Sequence, residues 1–347
     1  MFEIDGGQKS GSGTILRLAV ALAAIKGEQL HIVNIRQNRP QPGLKPQHLE
    51  SVLTAAKLCD AEIEGVNINS RELWFKPKAI KGGMFEAEIG TAGSIPMLFM
   101  TTLPICLFAK DTVKLHVFRG GTDTTHAPTI NYLRNVFLKA LRRMGADVDI
   151  SVQKYGYYPK GMGEATLTVR PTRKLQAIRL EKAEKTRTVR GISVCTFLAD
   201  RRVAERQAKA ATETLAQKGY SAEIQIENDT SNSMQKGSSI ALWSETDANV
   251  IVGADAIGEL KKTAEAVGKE AAEKLVAELS AEASVDIHLA DMLIPYVALT
   301  KSFSAYLARD LSEHLEANIW LTEKMLGVHF NVNKTGFLYR IEKLAEP

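Results

Sequence analysis

Two segments of this chain are built to one plan. FEIDGGQKSGSGTILRLAVALAAIKGEQLHIVNIR (2–36) and FEAEIGTAGSIPMLFMTTLPICLFAKDTVKLHVFR (85–119) each open on Phe-Glu and turn through Gly and Ser. Each then runs about twenty largely apolar residues, passes a Lys, and ends in an alternating segment that closes on Arg. The pattern predicts strand, glycine turn, buried helix and strand. Behind each copy comes a second helix with an amphipathic stripe, KPQHLESVLTAAKLCDAEIEG in the first and TINYLRNVFLKALRRMGADVDIS in the second. A chain that repeats a βαβαβ-type unit must stack its units so that sheets and helices cover a common core.

A third copy is expected near the C-terminus. SVDIHLADMLIPYVALTKSFSAYLA would supply strand and buried helix, and SEHLEANIWLTEKMLGVHFNV the amphipathic helix and strand. HLES (48–51) and HLEA (314–317) take the same place in their units. Between copies two and three the pattern breaks. That stretch reads as strand (RGISVCTFL), helix (ADRRVAERQAKAATETLAQKG), strand (SAEIQIEN), a polar loop, strand (SSIALWSE) and a long Ala/Glu/Lys helix. The fold class expected is α+β. A large domain of three repeated units occupies residues 1–184 and 279–347, and a smaller inserted α/β domain occupies 185–278.

With 347 residues, 45% hydrophobic and 24% charged, the chain can bury two cores. The most apolar stretch, 94–109, is interrupted by Pro96 and Pro104, so a buried helix is expected there and no membrane span. No signal sequence precedes Asp5, from which a cytoplasmic location is expected. Cys59, Cys106 and Cys195 are odd in number and far apart, which fits reduced, buried thiols better than disulfides or a zinc site. No segment commits to an oligomeric interface, and a homodimer is left open.

The net charge of +4 permits a polyanionic ligand without demanding one. Arg36, Arg39, Lys45 and His48 cluster in a Pro/Gly loop that leads into a helix, an arrangement suited to phosphate oxygens or equally to a solvated loop. Arg17, on the apolar first helix just after the glycine turn, needs a partner, and an anionic ligand at the turn would supply one. GGQKSGSG (6–13) could cradle phosphate with its amides, but it matches neither the Walker loop nor the dinucleotide fingerprint. Two further glycine loops, RGGTDTTHAP (119–128) and YGYYPKGMGEA (155–165), would line a shared cleft with Arg119, Asp123, His126 and Lys160.

Taken in order, DGGQKSGSGTILR, RQNRPQPGLKPQHL, GTAGS, RGGTD, GYYPKGMGE, HLADMLIP and SEHLEANIWL resemble the RNA 3′-terminal phosphate cyclases nearly end to end. The resemblance implies three repeated βαβαββ units plus an insert, with units like those of 5-enolpyruvylshikimate-3-phosphate synthase and the C-terminal domain of translation initiation factor three. It implies ATP-dependent conversion of an RNA 3′-phosphate to a 2′,3′-cyclic phosphodiester, with His314 as a nucleophile that carries AMP. It places ATP against Met100 and the segment His288, Leu289, Ala290, Asp291 and Met292. The RNA 3′-phosphate would fall to Arg17, Arg36, Arg39 and Gln47, and Mg²⁺ or Mn²⁺ would offset phosphate charge at a position left open.

The chain departs from the family pattern at several positions. Ser10 and Thr14 stand where Glu and Gln are usual, Met100 and Met292 where Gln is usual, Met162 where Gly is usual, and Ala317 where Thr is usual. Two functional readings therefore stand beside each other: a cyclase acting through His314, and a non-enzymatic cyclase-like RNA-binding protein that uses the same basic cleft. Enolpyruvyl transfer on a related fold is the weaker third, since the motifs match the RNA family.

Overall fold

The computed structural model describes residues 1–172, 174–181, 188–246 and 250–345. The first unit is β1 (Phe2–Asp5), α1 (Gly13–Lys26), β2 (Leu30–Val33), α2 (Pro46–Cys59), β3 (Glu62–Glu64) and β4 (Leu73–Lys76). Ser12 caps α1 by accepting from the Thr14 amide, and Gly27 closes it in the left-handed conformation. The second unit is β5 (Gly83–Glu88), α3 (Ile95–Cys106), β6 (Val113–Gly120), α4 (Ile130–Tyr132), α5 (Leu138–Arg143), β7 (Asp147–Lys154) and β8 (Gly163–Arg170). A π-helical turn, Leu133–Phe137, joins α4 to α5.

β9 (Arg179–Leu180) precedes β10 (Thr188–Thr196), α6 (Val203–Ala216), β11 (Ser221–Asp229), β12 (Gly237–Glu245), β13 (Ile251–Ile257) and α7 (Ala264–Ser280). The chain ends with α8 (Ile287–Ala298), β14 (Ser304–Ala308), α9 (Glu313–Leu326), β15 (Phe330–Thr335) and β16 (Leu338–Lys343).

Three sheets share one layout, β1-β2-β4-β3, β5-β6-β8-β7 and β9-β14-β16-β15. In each, the first pair is parallel and the other two are antiparallel. A helix must carry the chain back between parallel neighbours, which is the place of α1, α3 and α8. The first strand of the third copy was expected next to residue 285. It is instead β9, ahead of the interruption, and Asp286 is the N-cap of α8. Two residues are too few to show an alternating pattern, so β9 carries no periodic signal.

The fourth sheet, β11-β10-β12-β13, includes a strand the sequence reading omitted, β13. It is a short, largely apolar run, and only its pairing with β12 distinguishes it from loop. Along β12 the side chains alternate. Ile240 and Leu242 join Val252, Ala254, Val267, Ala271 and Leu275 under α7, whereas Ala241 and Trp243 enter the large core with Val194 and Ile251. The outer side of α7 carries the expected i,i+4 pairs, Lys269–Glu273 and Lys274–Glu270.

The large core draws on all three units, and α1, α3 and α8 are buried on most sides, which explains runs without a polar stripe. All three cysteines are free and buried. Among the described residues no helix is long and apolar enough to cross a membrane.

Candidate functional site

The N-termini of α1, α2 and α9 carry the residues singled out for chemistry. Ser10 and Ser12 share a hydrogen bond of 3.0 Å across the glycine turn. Gly13 opens α1 because nothing larger fits: a Cβ there would lie 2.2 Å from His48 Nε2 and 2.9 Å from Arg17 Nη1. One turn into α1, the Arg17 guanidinium reaches Thr14 Oγ1 at 3.5 Å, and Thr14 Oγ1 lies 3.3 Å from His314 Nδ1. Thr14 and His314 are 300 residues apart in sequence.

The charged neighbours of Arg17, Arg36 and His48 are all cations, and Glu313 is the acid beside His314. Arg36 holds the Pro/Gly loop together by donating to the carbonyls of Gln41 (2.9 Å) and Gly43 (2.8 Å), and Lys45 donates to Asn69 Oδ1 (2.8 Å). Burial, and then Arg36, lower the Arg17 guanidinium to about 10. Burial and Arg39 lower Arg36. His48 is 4% exposed, and burial with Arg17, Arg36 and Lys45 pushes it down to about 2, so its ring is neutral. Its Nδ1 has no partner among the described residues. No ion pair to Arg17, Arg36 or Arg39 is formed among the described residues. Cations pressed together without a carboxylate, at helix N-termini, make a receptor for a multiply charged anion. Gln47 stands beside them, with Oε1 accepting from the Ser94 amide of the GTAGS turn (3.0 Å).

α8 sorts its expected ligand residues by face. Leu289 and Ala290 are fully buried and Met292 is 7% exposed, all within the large core. Met100 on α3 is partly buried against the same core. His288 and Asp291, three residues apart, share the other face. The Asp291 carboxylate accepts from Ser312 Oγ (2.6 Å), and Ser312 caps α9 through the Leu315 amide (3.0 Å). Asp291 is thus tied to the helix start that carries His314. Burial pushes its carboxyl up to about 7, partly offset by Ser312 and His288. The structure therefore gathers Arg17, Arg36, Arg39, His48 and His314, and sets Asp291 at the edge of that group, while the side chains of Leu289, Ala290 and Met292 are spent on packing.

The glycine loops of the second unit differ from expectation. Asp123 lines no cleft: it is 1% exposed and accepts from Thr122 Oγ1 (2.9 Å) and the Ile130 amide (3.0 Å), tying the loop to the start of α4. Arg119 pairs with Glu88 (2.5 Å). His126 and Lys160 are exposed. Backbone groups that must be satisfied at a helix start claim an Asp in a loop as readily as a ligand does.

A profile of the RNA 3′-terminal phosphate cyclases matches residues 8–332 of this chain. The chain belongs to the RNA 3′-terminal phosphate cyclase family. Proteins named RNA 3′-terminal phosphate cyclase from Pyrobaculum neutrophilum (45% identical over 339 residues, 98% of this chain and 97% of the relative) and Archaeoglobus fulgidus (43% over 336 residues, 96% and 99%) are among its relatives. The protein of that name from Pyrococcus furiosus is 42% identical over 332 residues, 96% of this chain and 95% of the relative.

Against the pattern of the RNA 3′-terminal phosphate cyclase family, the residues that depart from it have local roles. Ser10 bonds Ser12, and Thr14 reaches the His314 ring. The side-chain oxygens from Gly6 to Thr14 are the Gln8 amide and the hydroxyls of Ser10, Ser12 and Thr14, neutral groups in a cationic setting, and no cluster of three or more His, Cys, Asp or Glu suited to a metal occurs among the described residues. That donor set does not fit a divalent ion held by the protein itself. Two residues that position the site escaped the sequence reading, Ser312 and Asp286. Each stands directly before an expected helix, the apolar one for Asp286 and the amphipathic one for Ser312, the usual place of an N-cap, and that signal was available.

The buried His48 has a measurable consequence. Its ordinary value is 6.5 and its folded value about 2, so below pH 6.5 the unfolded chain takes up a proton that the folded chain refuses. The contribution is fully present above pH 6.5 and is lost as pH falls toward the folded value, at about 1.4 kcal/mol per pH unit. Asp123 and Asp291, both pushed up to about 7, titrate in the opposite sense. They are common to wild type and His48→Gln, so the difference in urea stability between the two proteins isolates His48. Wild type should lose ground to the variant between pH 7 and 5, and parallel curves would contradict a neutral buried ring.

Proposed function

We propose that this chain converts an RNA 3′-phosphate end to a 2′,3′-cyclic phosphodiester at the expense of ATP, with His314 as the nucleophile. The observation that carries the reading is the His314 ring set at the rim of a cation cluster that lacks carboxylates, with Nδ1 on the Thr14 hydroxyl. If Nδ1–H is donated to Thr14, the Nε2 lone pair is the free nucleophilic position. Burial, then Arg17 and Arg39, lower His314 below its usual 6.5 against an opposing pull from Glu313, which favours the neutral ring at pH 7.

Nε2 attacks the α-phosphorus of ATP: an N–P bond forms, the bond to the bridging oxygen breaks, and pyrophosphate leaves. A 3′-phosphate oxygen of the RNA then takes the AMP, and the histidine nitrogen departs with its lone pair. The 2′-hydroxyl attacks the terminal phosphorus, loses its proton and expels AMP. Arg17, Arg36 and Arg39 would hold the terminal phosphate, and the face of α8 that carries the exposed His288 and the partly buried Asp291 would lie toward the nucleotide. Mg²⁺ or Mn²⁺ would arrive on the triphosphate, whose oxygens can be its ligands. The names of the relatives favour this enzymatic reading over binding alone.

A serine at position 10, where the family usually has Glu, is what favours the binding-only reading. Incubation with α-labelled ATP and either metal separates the two. An acid-labile label on the protein that is discharged by 3′-phosphorylated RNA, with a cyclic end formed, is the expected result. RNA binding with neither label nor cyclic end would leave a binding protein.

A further inference from the structure

The YGYYPKGMGE loop is left without a role by the reaction, yet it exposes what a core would bury. Tyr158 is 77% exposed and Met234, on the facing loop of the fourth sheet, 56%. The backbone beneath them is tightly held. Asn232, itself 3% exposed, donates to the carbonyls of Tyr155 (2.6 Å) and Gly161 (3.2 Å). Gln235 donates to the Tyr158 carbonyl (3.1 Å) and accepts from the Lys160 amide (3.3 Å). An aromatic ring fixed on a braced backbone has little freedom left to lose on binding.

Charge and position narrow the occupant. Residues 155–163 and 230–237 contain Lys160 and Lys236 and no Asp or Glu. Both lysines are exposed, and neither has a carboxylate partner among the described residues. The loop also continues from the phosphate cluster. Gly161, at φ +71°, lies so close to the GTAGS turn that a Cβ would stand 2.8 Å from the Thr91 oxygen and 2.9 Å from Ala92 Cα. The same turn packs Gly93 against Gln47 and donates the Ser94 amide to it. Gln47, the GTAGS turn and Gly161 are therefore in contact one after the other, and Gly161 donates its amide to the carbonyl of Tyr157 (2.7 Å), the neighbour of Tyr158.

We propose that the paired loops 155–162 and 230–236 are a stacking platform for a base of the RNA strand upstream of its 3′ end, with Tyr158 as the stacking face and Lys160 and Lys236 on phosphates. This rests on the RNA-end reading of the cation cluster. Every base has a π-face, so such a platform adds affinity without reading sequence.

The test uses the full chain and two 3′-phosphorylated RNAs, a dinucleotide and a dodecamer, with binding followed by fluorescence anisotropy. Tyr158→Ala should bind the dodecamer about tenfold more weakly, while dinucleotide binding and labelling of His314 by ATP stay as in wild type. Tyr158→Phe should bind like wild type. Lys160→Ala with Lys236→Ala should reduce the slope of log affinity against log salt by about 1.4. Unchanged dodecamer affinity for Tyr158→Ala, or a phenylalanine variant as weak as the alanine one, overturns the platform alone. A wild type that binds neither RNA overturns both the platform and the reading beneath it.

Discussion

His314→Ala is expected to lose the label left by α-labelled ATP by at least about a thousandfold, and cyclic-end formation with it, because removing a covalent nucleophile leaves only the binding contribution to rate. The side chain is partly exposed and makes one side-chain hydrogen bond, to Thr14, so its loss should change stability by no more than about 1 kcal/mol. Urea unfolding separates lost chemistry from lost fold. RNA affinity of the variant should remain near wild type, since Arg17, Arg36 and Arg39 are untouched. The wild-type pH profile for labelling should have an acid limb below the ordinary histidine value of 6.5, as burial and the neighbouring arginines hold His314 down. An acid limb above 6.5, or persistent label on the alanine variant, would remove His314 from the reaction.

The largest stability effect is expected at Asp286. Its carboxylate is 1% exposed and joins three parts of the molecule. Oδ1 accepts from Tyr132 Oη (2.7 Å) in the second unit and from the amides of His288 and Leu289 (3.0 Å each) at the start of α8. Oδ2 accepts from the Gly253 amide (2.9 Å) on β13. Asp286→Ala removes the helix cap, worth about 1 kcal/mol. It also leaves the Tyr132 hydroxyl and the Gly253 amide buried and unpaired, at about 1–3 kcal/mol each. A loss of about 3–7 kcal/mol in urea unfolding is expected, with faster hydrogen exchange at Gly253. Asp286→Asn keeps an acceptor and should lose roughly half as much. A loss under about 1 kcal/mol would mean that the carboxylate does not hold these elements together.

How far the chain could be read depended on how local each signal was. The first two units were legible because their glycine turns, apolar runs and alternating strands repeat within short windows. The third unit was legible from its helices but not from β9, whose two residues have no period and whose partner β14 lies more than a hundred residues on. The HLADM segment shows the limit at the site. Resemblance groups its five residues together, but a helix has faces, and this one turns Leu289, Ala290 and Met292 into the core and leaves His288 and Asp291 on the other side. Asp123 was misplaced for a related reason, since a loop Asp beside glycines reads alike whether it meets a ligand or a helix start.

The chain of residues alone determined the helices, most strands, their caps and breakers, and the stock of cations and histidines, because those follow from neighbours a few positions away. Tertiary structure decided which of them meet. It set Thr14 against a histidine 300 residues distant and left Arg17 among other cations without a carboxylate. It also made His48 neutral and raised Asp291. Desolvation and electrostatic fields sum over everything packed around a group, and no short window of sequence contains that sum.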